Sequence, residues 1–144
     1  TPALSIRPAT EADLQFVRAS WFESYRHGGS APQVGFPTYR EGQHGIIERC
    51  LRDGRVFVAF ATAVPDEICS WVCVQAPSLL HFAYTKQAYR RMGIATSLII
   101  HASKQGALAE HTHDTRVGRH FAAKIATKHN PYPLYPPNPP RSKK

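Results

Sequence analysis

The sequence holds one methionine, three cysteines and only ten acidic residues among 144. It also lacks any apolar run near the roughly 20 residues that a bilayer-spanning helix needs. That shortage excludes a helical membrane protein. No basic-then-apolar stretch opens the sequence, so a secretory leader is not expected and cytoplasmic residence is the plain expectation. Cys50, Cys69 and Cys73 are an odd set, and two of them lie inside β-branched, aromatic text. They read as small buried apolar side chains rather than a disulfide framework. Cys69 and Cys73 fall on one strand face, but no third and fourth ligand joins them, so no zinc site is expected. No internal repeat is visible.

The shortage of acid leaves eighteen Lys and Arg against ten Asp and Glu, a formal charge of +8. Arg141, Lys143 and Lys144 supply three of those charges within the last four residues. A basic balance favours anionic partners, whether phosphate-bearing coenzymes, nucleotides or nucleic acid, although plain solubility charge reads the same way. With 42% apolar and 19% charged residues the composition is that of a folded globular chain. Its length suits one domain that buries about two-thirds of its unfolded surface.

"SIRPAT" reads as a short extended segment ended by Pro8. Thr10 opens T-x-x-D, close to a capping box, and Leu14, Val17, Trp21 and Tyr25 then recur at helical spacing. The glycines and prolines of "HGGSAPQVGFP" mark a loop. Thr38 begins the capping box "TYRE", which predicts a second helix to about Arg52 with Gly54 as its stop. "RVFVAFATA" and "EICSWVCVQA" predict a hairpin turning at "VPDE", and "LLHFAYTK" a third strand of the same block. A helix follows through Ile94, Leu98, Ile99 and Ala102 to about Gly106. "ALAEHTH" reads as a short strand, and Val117, Phe121 and Ile125 as one face of a fourth helix within "DTRVGRHFAAKIATKHN". The ending "NPYPLYPPNPPRSKK" holds six of the twelve prolines. It predicts an extended tail over 131–144 beside a single domain over 1–130. Strands in a block with helices before and after predict an α/β (α+β layered) fold around a mixed, mostly antiparallel sheet.

The stretch "AYRRMGIATSL" turns from strand-like to helix-like text amid positive charge and small residues. A glycine there lets a ligand approach the backbone, and the N–H groups at a helix start attract anionic oxygens. Arg90, Gly93 and Ala95 fit the pattern Q/R-x-x-G-x-G/A. With the strand–helix setting and the opening "SIRPATEADL", the chain over roughly 5–130 resembles the GNAT N-acetyltransferase superfamily.

The resemblance implies acetyl-CoA as co-substrate and an amine as acceptor. It implies a pyrophosphate cradle built by Arg90, Arg91, Met92, Gly93, Ile94, Ala95 and Thr96. It also implies a pantetheine arm bound by backbone groups of Ala83, Tyr84 and Thr85, with an amide near Thr85 polarising the acetyl carbonyl. A homodimer is possible on the same grounds. The family's Asn and Tyr, seven residues apart, correspond to Asp114 and Phe121. Phe121 cannot protonate a thiolate, so Tyr132 or Tyr135 becomes the candidate acid. Glu110 and His81 are the candidate bases, His81 because an imidazole titrates near neutrality. Each has a bland counterpart: a solvated edge glutamate and a satisfied strand histidine. His111 and His113 alternate on one strand without a third ligand, and no metal site is expected. The expected function is direct acetyl transfer to an unidentified amine. The alternatives are a catalytically impaired acyl-CoA-binding protein and a nucleic-acid-associated one.

Overall fold

The computed structural model describes residues 3–27, 34–75, 79–102, 110–113 and 128–129. The chain begins with strand β1 (Leu4–Pro8) and continues through helices α1 (Glu11–His27) and α2 (Phe36–Asp53). Strands β2 (Arg55–Ala61), β3 (Val64–Gln75) and β4 (Leu79–Thr85) follow, then helix α3 (Ile94–Ala102) and the short strands β5 (Glu110–His111) and β6 (Lys128–His129). The six strands form one sheet in chain order. Pairing is antiparallel from β1 to β4 and parallel from β4 to β6. The expected mixed, mostly antiparallel sheet flanked by helices is therefore the architecture observed.

Local chemistry explains most boundaries. Asp13 accepts from the Thr10 backbone N–H at 2.7 Å and from the Thr10 hydroxyl at 3.0 Å, which fixes the start of α1. Arg7 grips the same carboxylate from β1, and this ion pair holds Asp13 below the usual carboxylate range. Basic Arg26 and His27 close the helix, where they oppose the carbonyl end of its dipole.

Three boundaries differ from those expected. Helix α2 starts at Phe36 rather than Thr38, because Pro37 fits the first turn and Gly35 takes the cap position without a side-chain bond. The hairpin turns at Thr62–Ala63, since Ala61 pairs with Val64. "VPDE" instead lies in β3, where the register jumps from Ala61↔Val64 to Phe60↔Ile68 and loops residues 65–67 out of the ladder. The expected fourth helix falls mostly outside the described residues, and its end does not hold: Lys128 and His129 form β6, where pairing with β5 overrides helical periodicity. The tail over 131–144 also lies outside them.

Alternation along the strands builds two cores. Val56, Val58, Trp71 and Phe82 face α1 and α2, packing with Val17, Trp21, Ile47 and Cys50. Phe57, Ala59, Val72 and Leu80 face α3, packing with Ile94, Leu98 and Ile99. Trp21 stacks on Phe82 at 5.4 Å and lies 5.4 Å from Trp71, so the two tryptophans centre the first core. Cys50, Cys69 and Cys73 are free and buried, as expected of small apolar side chains.

Leu80 and Phe82 would share a face in a regular strand, yet they face opposite cores. The ladder explains this: Cys73 pairs with Phe82 and Val74 with Leu80, which leaves His81 as an extra residue on β4. This bulge reverses the phase of the strand halfway along.

Candidate functional site

Two features converge at the end of β4: the backbone beyond its described pairing with β5, and the turn into α3. Strand β5 pairs with β4 only at Leu79 and Leu80, and the Thr112 N–H then reaches the Leu80 carbonyl at 3.0 Å. On the other side, β4 stays paired with β3 as far as Thr85. The Lys86 N–H bonds the Cys69 carbonyl at 2.9 Å. Antiparallel ladders alternate bonded and non-bonded pairs. Lys86 and Tyr84 therefore turn their backbone groups to β3, whereas Ala83 and Thr85 turn theirs to the side that β5 has left.

The three positions assigned to one contact thus divide. The Tyr84 carbonyl accepts from the Ser70 hydroxyl at 2.7 Å, and its ring packs on the first core. Ala83 and Thr85 present extended-chain donors and acceptors to the slot, and the Thr85 carbonyl already accepts from Arg90 Nε at 3.0 Å.

Beyond Thr85 the chain makes a short 3-10 turn over Gln87–Tyr89. Arg91 and Gly93 both adopt left-handed backbone, with φ of 67° and 76°. A non-glycine residue in that region is uncommon, and it marks how tightly the chain turns into α3. The first intrahelical bond of α3 runs from the Ser97 N–H to the Gly93 carbonyl at 3.0 Å. The N–H groups of Ile94, Ala95 and Thr96 therefore point out of the helix start. The Ile94 side chain is buried in the second core and that of Ala95 is buried too, so their backbone is what can meet a ligand. A Cβ added at Gly93 would meet no described atom within 4 Å. Lys86, Arg90 and Arg91 precede Gly93 in the sequence without an intervening acid. Such a turn suits an anionic group such as a phosphate ester.

Tyr89 and Glu67 complete the turn and escaped the sequence reading. The Tyr89 hydroxyl donates to Glu67 Oε1 at 2.8 Å, which ties the turn to the looped-out 65–67 segment of β3. That bond pushes the Tyr89 phenol up to about 12. "VPDE" carried the only signal, and its turn character was real although its place in the hairpin was not.

The candidate acids and bases are not gathered at the slot. Glu110 is half-buried and pairs with Leu79, four to six positions before Ala83 and Thr85, roughly 13–20 Å along the strand. His81 is 2% exposed, with Nδ1 at 2.8 Å from Thr112 Oγ1 and Nε2 at 2.8 Å from Gln75 Oε1. Burial lowers its imidazole to about 4, so it is neutral at pH 7 with both nitrogens engaged. That is the satisfied strand histidine, not a base open to substrate. Tyr132, Tyr135, Asp114 and Phe121 lie outside the described residues. His113 points its Nε2 at Trp21 Nε1 and Gln43 Nε2, at 3.3 and 3.1 Å, rather than towards a cluster of metal ligands. Among the described residues no group of three or more His, Cys, Asp or Glu is placed to hold a metal ion. Nor is any described helix long and apolar enough to cross a membrane.

This arrangement, with antiparallel strands, a parallel strand splayed from β4, and a helix start at the fork, is the fold of the GCN5-related N-acetyltransferases. A GCN5-related N-acetyltransferase from Ralstonia eutropha JMP134 shares it with a TM-score of 0.64 at 17% identity, covering 99% of this chain and 98% of that one. The PaiA N-acetyltransferase from Thermoplasma acidophilum, solved with coenzyme A, gives 0.55 at 20% identity over 85% of this chain and 87% of its own. An aminoglycoside N-acetyltransferase in complex with CoA gives 0.56 at 14% identity over 88% and 89%. No family model and no curated protein sequence matches the chain.

Proposed function

We propose that this protein is an acetyl-CoA-dependent N-acetyltransferase that passes the acetyl group directly to an amine. The observation that carries the reading is the left-handed turn at Arg91–Gly93 leading into the start of α3, beside the stretch of β4 beyond its described pairing with β5. Backbone N–H groups of Met92, Gly93, Ile94, Ala95 and Thr96 would hold the pyrophosphate, with Arg90 and Arg91 adding charge. Arg90 also closes its own turn through Nε, which leaves its terminal nitrogens for phosphate oxygens. Ala83 and Thr85 would bond the pantetheine arm as a neighbouring strand does, and an N–H there would stabilise the oxyanion. Tyr84 supports the slot through packing rather than through its amide.

Bound acetyl-CoA would supply an activated thioester, which the chain orients. Glu110 is the candidate base, and its distance along β4 means that the proton of the amine would reach it through several waters. Tyr132 is the candidate acid for the thiolate. The solved relatives that bind coenzyme A, one of them an aminoglycoside acetyltransferase, support an amine acceptor without naming it.

The reading is tested by free-thiol release from acetyl-CoA across a panel of primary amines. At least one amine should give turnover that Glu110→Gln and Tyr132→Phe each lower by about 10²-fold, a usual contribution of a general acid or base. Coenzyme affinity should not change in either variant. Coenzyme binding without release for any amine would favour an acyl-CoA-binding module.

A further inference from the structure

A continuous, largely buried chain of polar side chains runs beside the first core at the end of the β4–β5 pairing. Its proton order follows from the groups at its two ends. The Trp21 indole N–H can only donate, and it meets His113 Nε2 at 3.3 Å. Gln43 Nε2 meets the same ring nitrogen at 3.1 Å. Two N–H donors aimed at one nitrogen require its lone pair, so His113 is neutral and carries its proton on Nδ1.

That Nδ1–H faces Thr112 Oγ1 at 3.2 Å, which accepts it. At the other end Gln75 Oε1 can only accept, and it stands 2.8 Å from His81 Nε2, so that nitrogen carries the proton. His81 is neutral, and its Nδ1 accepts from the Thr112 hydroxyl at 2.8 Å. An indole N–H at one end and an amide oxygen at the other thus fix the order between them. His113 is boxed by the rings of Trp21, Tyr25 and Phe82, and it is 3% exposed. Thr112 is 1% exposed. A broken bond in such surroundings leaves a polar group without water to replace its partner.

Thr112 holds β4 twice: its N–H on the Leu80 carbonyl, and its hydroxyl on His81, the bulge residue. One residue further along, β4 has changed phase, and its pairing with β5 among the described residues has ended. We propose that Thr112 is the positioning residue of the coenzyme slot: the Trp21–His113–Thr112–His81–Gln75 chain, locked in one proton order, fixes the point at which β5 parts from β4. The slot clause rests on the acetyltransferase reading, whereas the lock stands on the hydrogen bonds alone.

Imidazole ¹H–¹⁵N correlation spectra of the labelled parent at pH 7 come first, because they need no variant. They should show neutral His81 with its proton on Nε2 and neutral His113 with its proton on Nδ1. The opposite tautomer, or a charged ring, at either position overturns the proposal. Thr112→Val keeps the shape and removes the hydroxyl, so His81 should become a mixture of tautomers. The amide of residue 112 should exchange at least tenfold faster, and coenzyme A should bind about tenfold more weakly. Thr112→Ser should restore all three. A Val variant with parent-like His81 signals and amide protection overturns the lock. Expected spectra with equal coenzyme A affinity in parent and Val variant overturn the positioning role. A parent that binds no coenzyme A sinks the acetyltransferase reading and the slot clause together, while the spectra still judge the lock.

Discussion

At Gly93 the φ of 76° places an added Cβ in open space, whereas at Gly54 a Cβ would stand 2.6 Å from the Val74 carbonyl oxygen and 2.7 Å from that of Cys50. Gly54 has φ of −104°, so its backbone suits any residue, and the close approach of two chains is what excludes a side chain. Gly93→Ala should cost about 1 kcal/mol, the strain of a left-handed alanine. Gly54→Ala should cost about 2–3 kcal/mol, because backbone atoms must move to admit it. Urea unfolding of both variants checks the order; equal costs would mean that one of these positions is misread. His81 gives a pH signature. Its folded value of about 4 lies below the ordinary 6.5, so the unfolded chain binds more protons between those values. Stability from this group is complete above pH 6.5 and falls away as pH drops towards 4. The loss is about 3 kcal/mol. It should appear as the difference between the pH–stability curves of the parent and His81→Gln, and parallel curves would contradict a buried neutral imidazole.

At the scale of elements, β4 and the turn after it carry the proposed site, and their sequence announces only part of that. Gly93 and the arginines before it could be read as a cradle because left-handed turns and helix starts have strong local signatures. The order of strands and helices was legible through period alone. The bulge at His81 was not, since alternation continues undisturbed through "LLHFAYT" and only cross-strand register shows the extra residue. The same blindness made Tyr84 a coenzyme contact, when ladder alternation turns its backbone to β3. "VPDE" misled for a related reason: its turn residues loop out of a strand instead of joining two. Such facts reside in pairings between distant residues. The Tyr89–Glu67 bond is one of them, and it makes a prediction at this scale. Tyr89→Phe should loosen the turn and weaken coenzyme A binding by a few-fold, with the melting temperature shifted by no more than a few degrees. Unchanged affinity would remove Glu67 and Tyr89 from the support of the site.

For the whole molecule, the two cores give the sheet helices on both faces, and the slot opens where the parallel strand departs. A charge of +8 suits a polyanionic coenzyme and also suits nucleic acid. The turn at Gly93, with its exposed N–H groups at the start of α3, is the reason to propose the first. A titration of coenzyme melting shifts tests this central claim most directly. A ligand at about 100 times its dissociation constant stabilises a native state by about 2.7 kcal/mol. For a domain of this size that is a rise of roughly 5–11 °C. Acetyl-CoA should raise the melting point of the parent by that order and leave Gly93→Glu unmoved, because the new carboxylate fills the open space and repels the phosphates. Arg90→Ala should show a smaller rise, since the backbone donors remain. A parent that shows no rise at millimolar acetyl-CoA, or a Gly93→Glu variant that rises as much as the parent, would contradict the account.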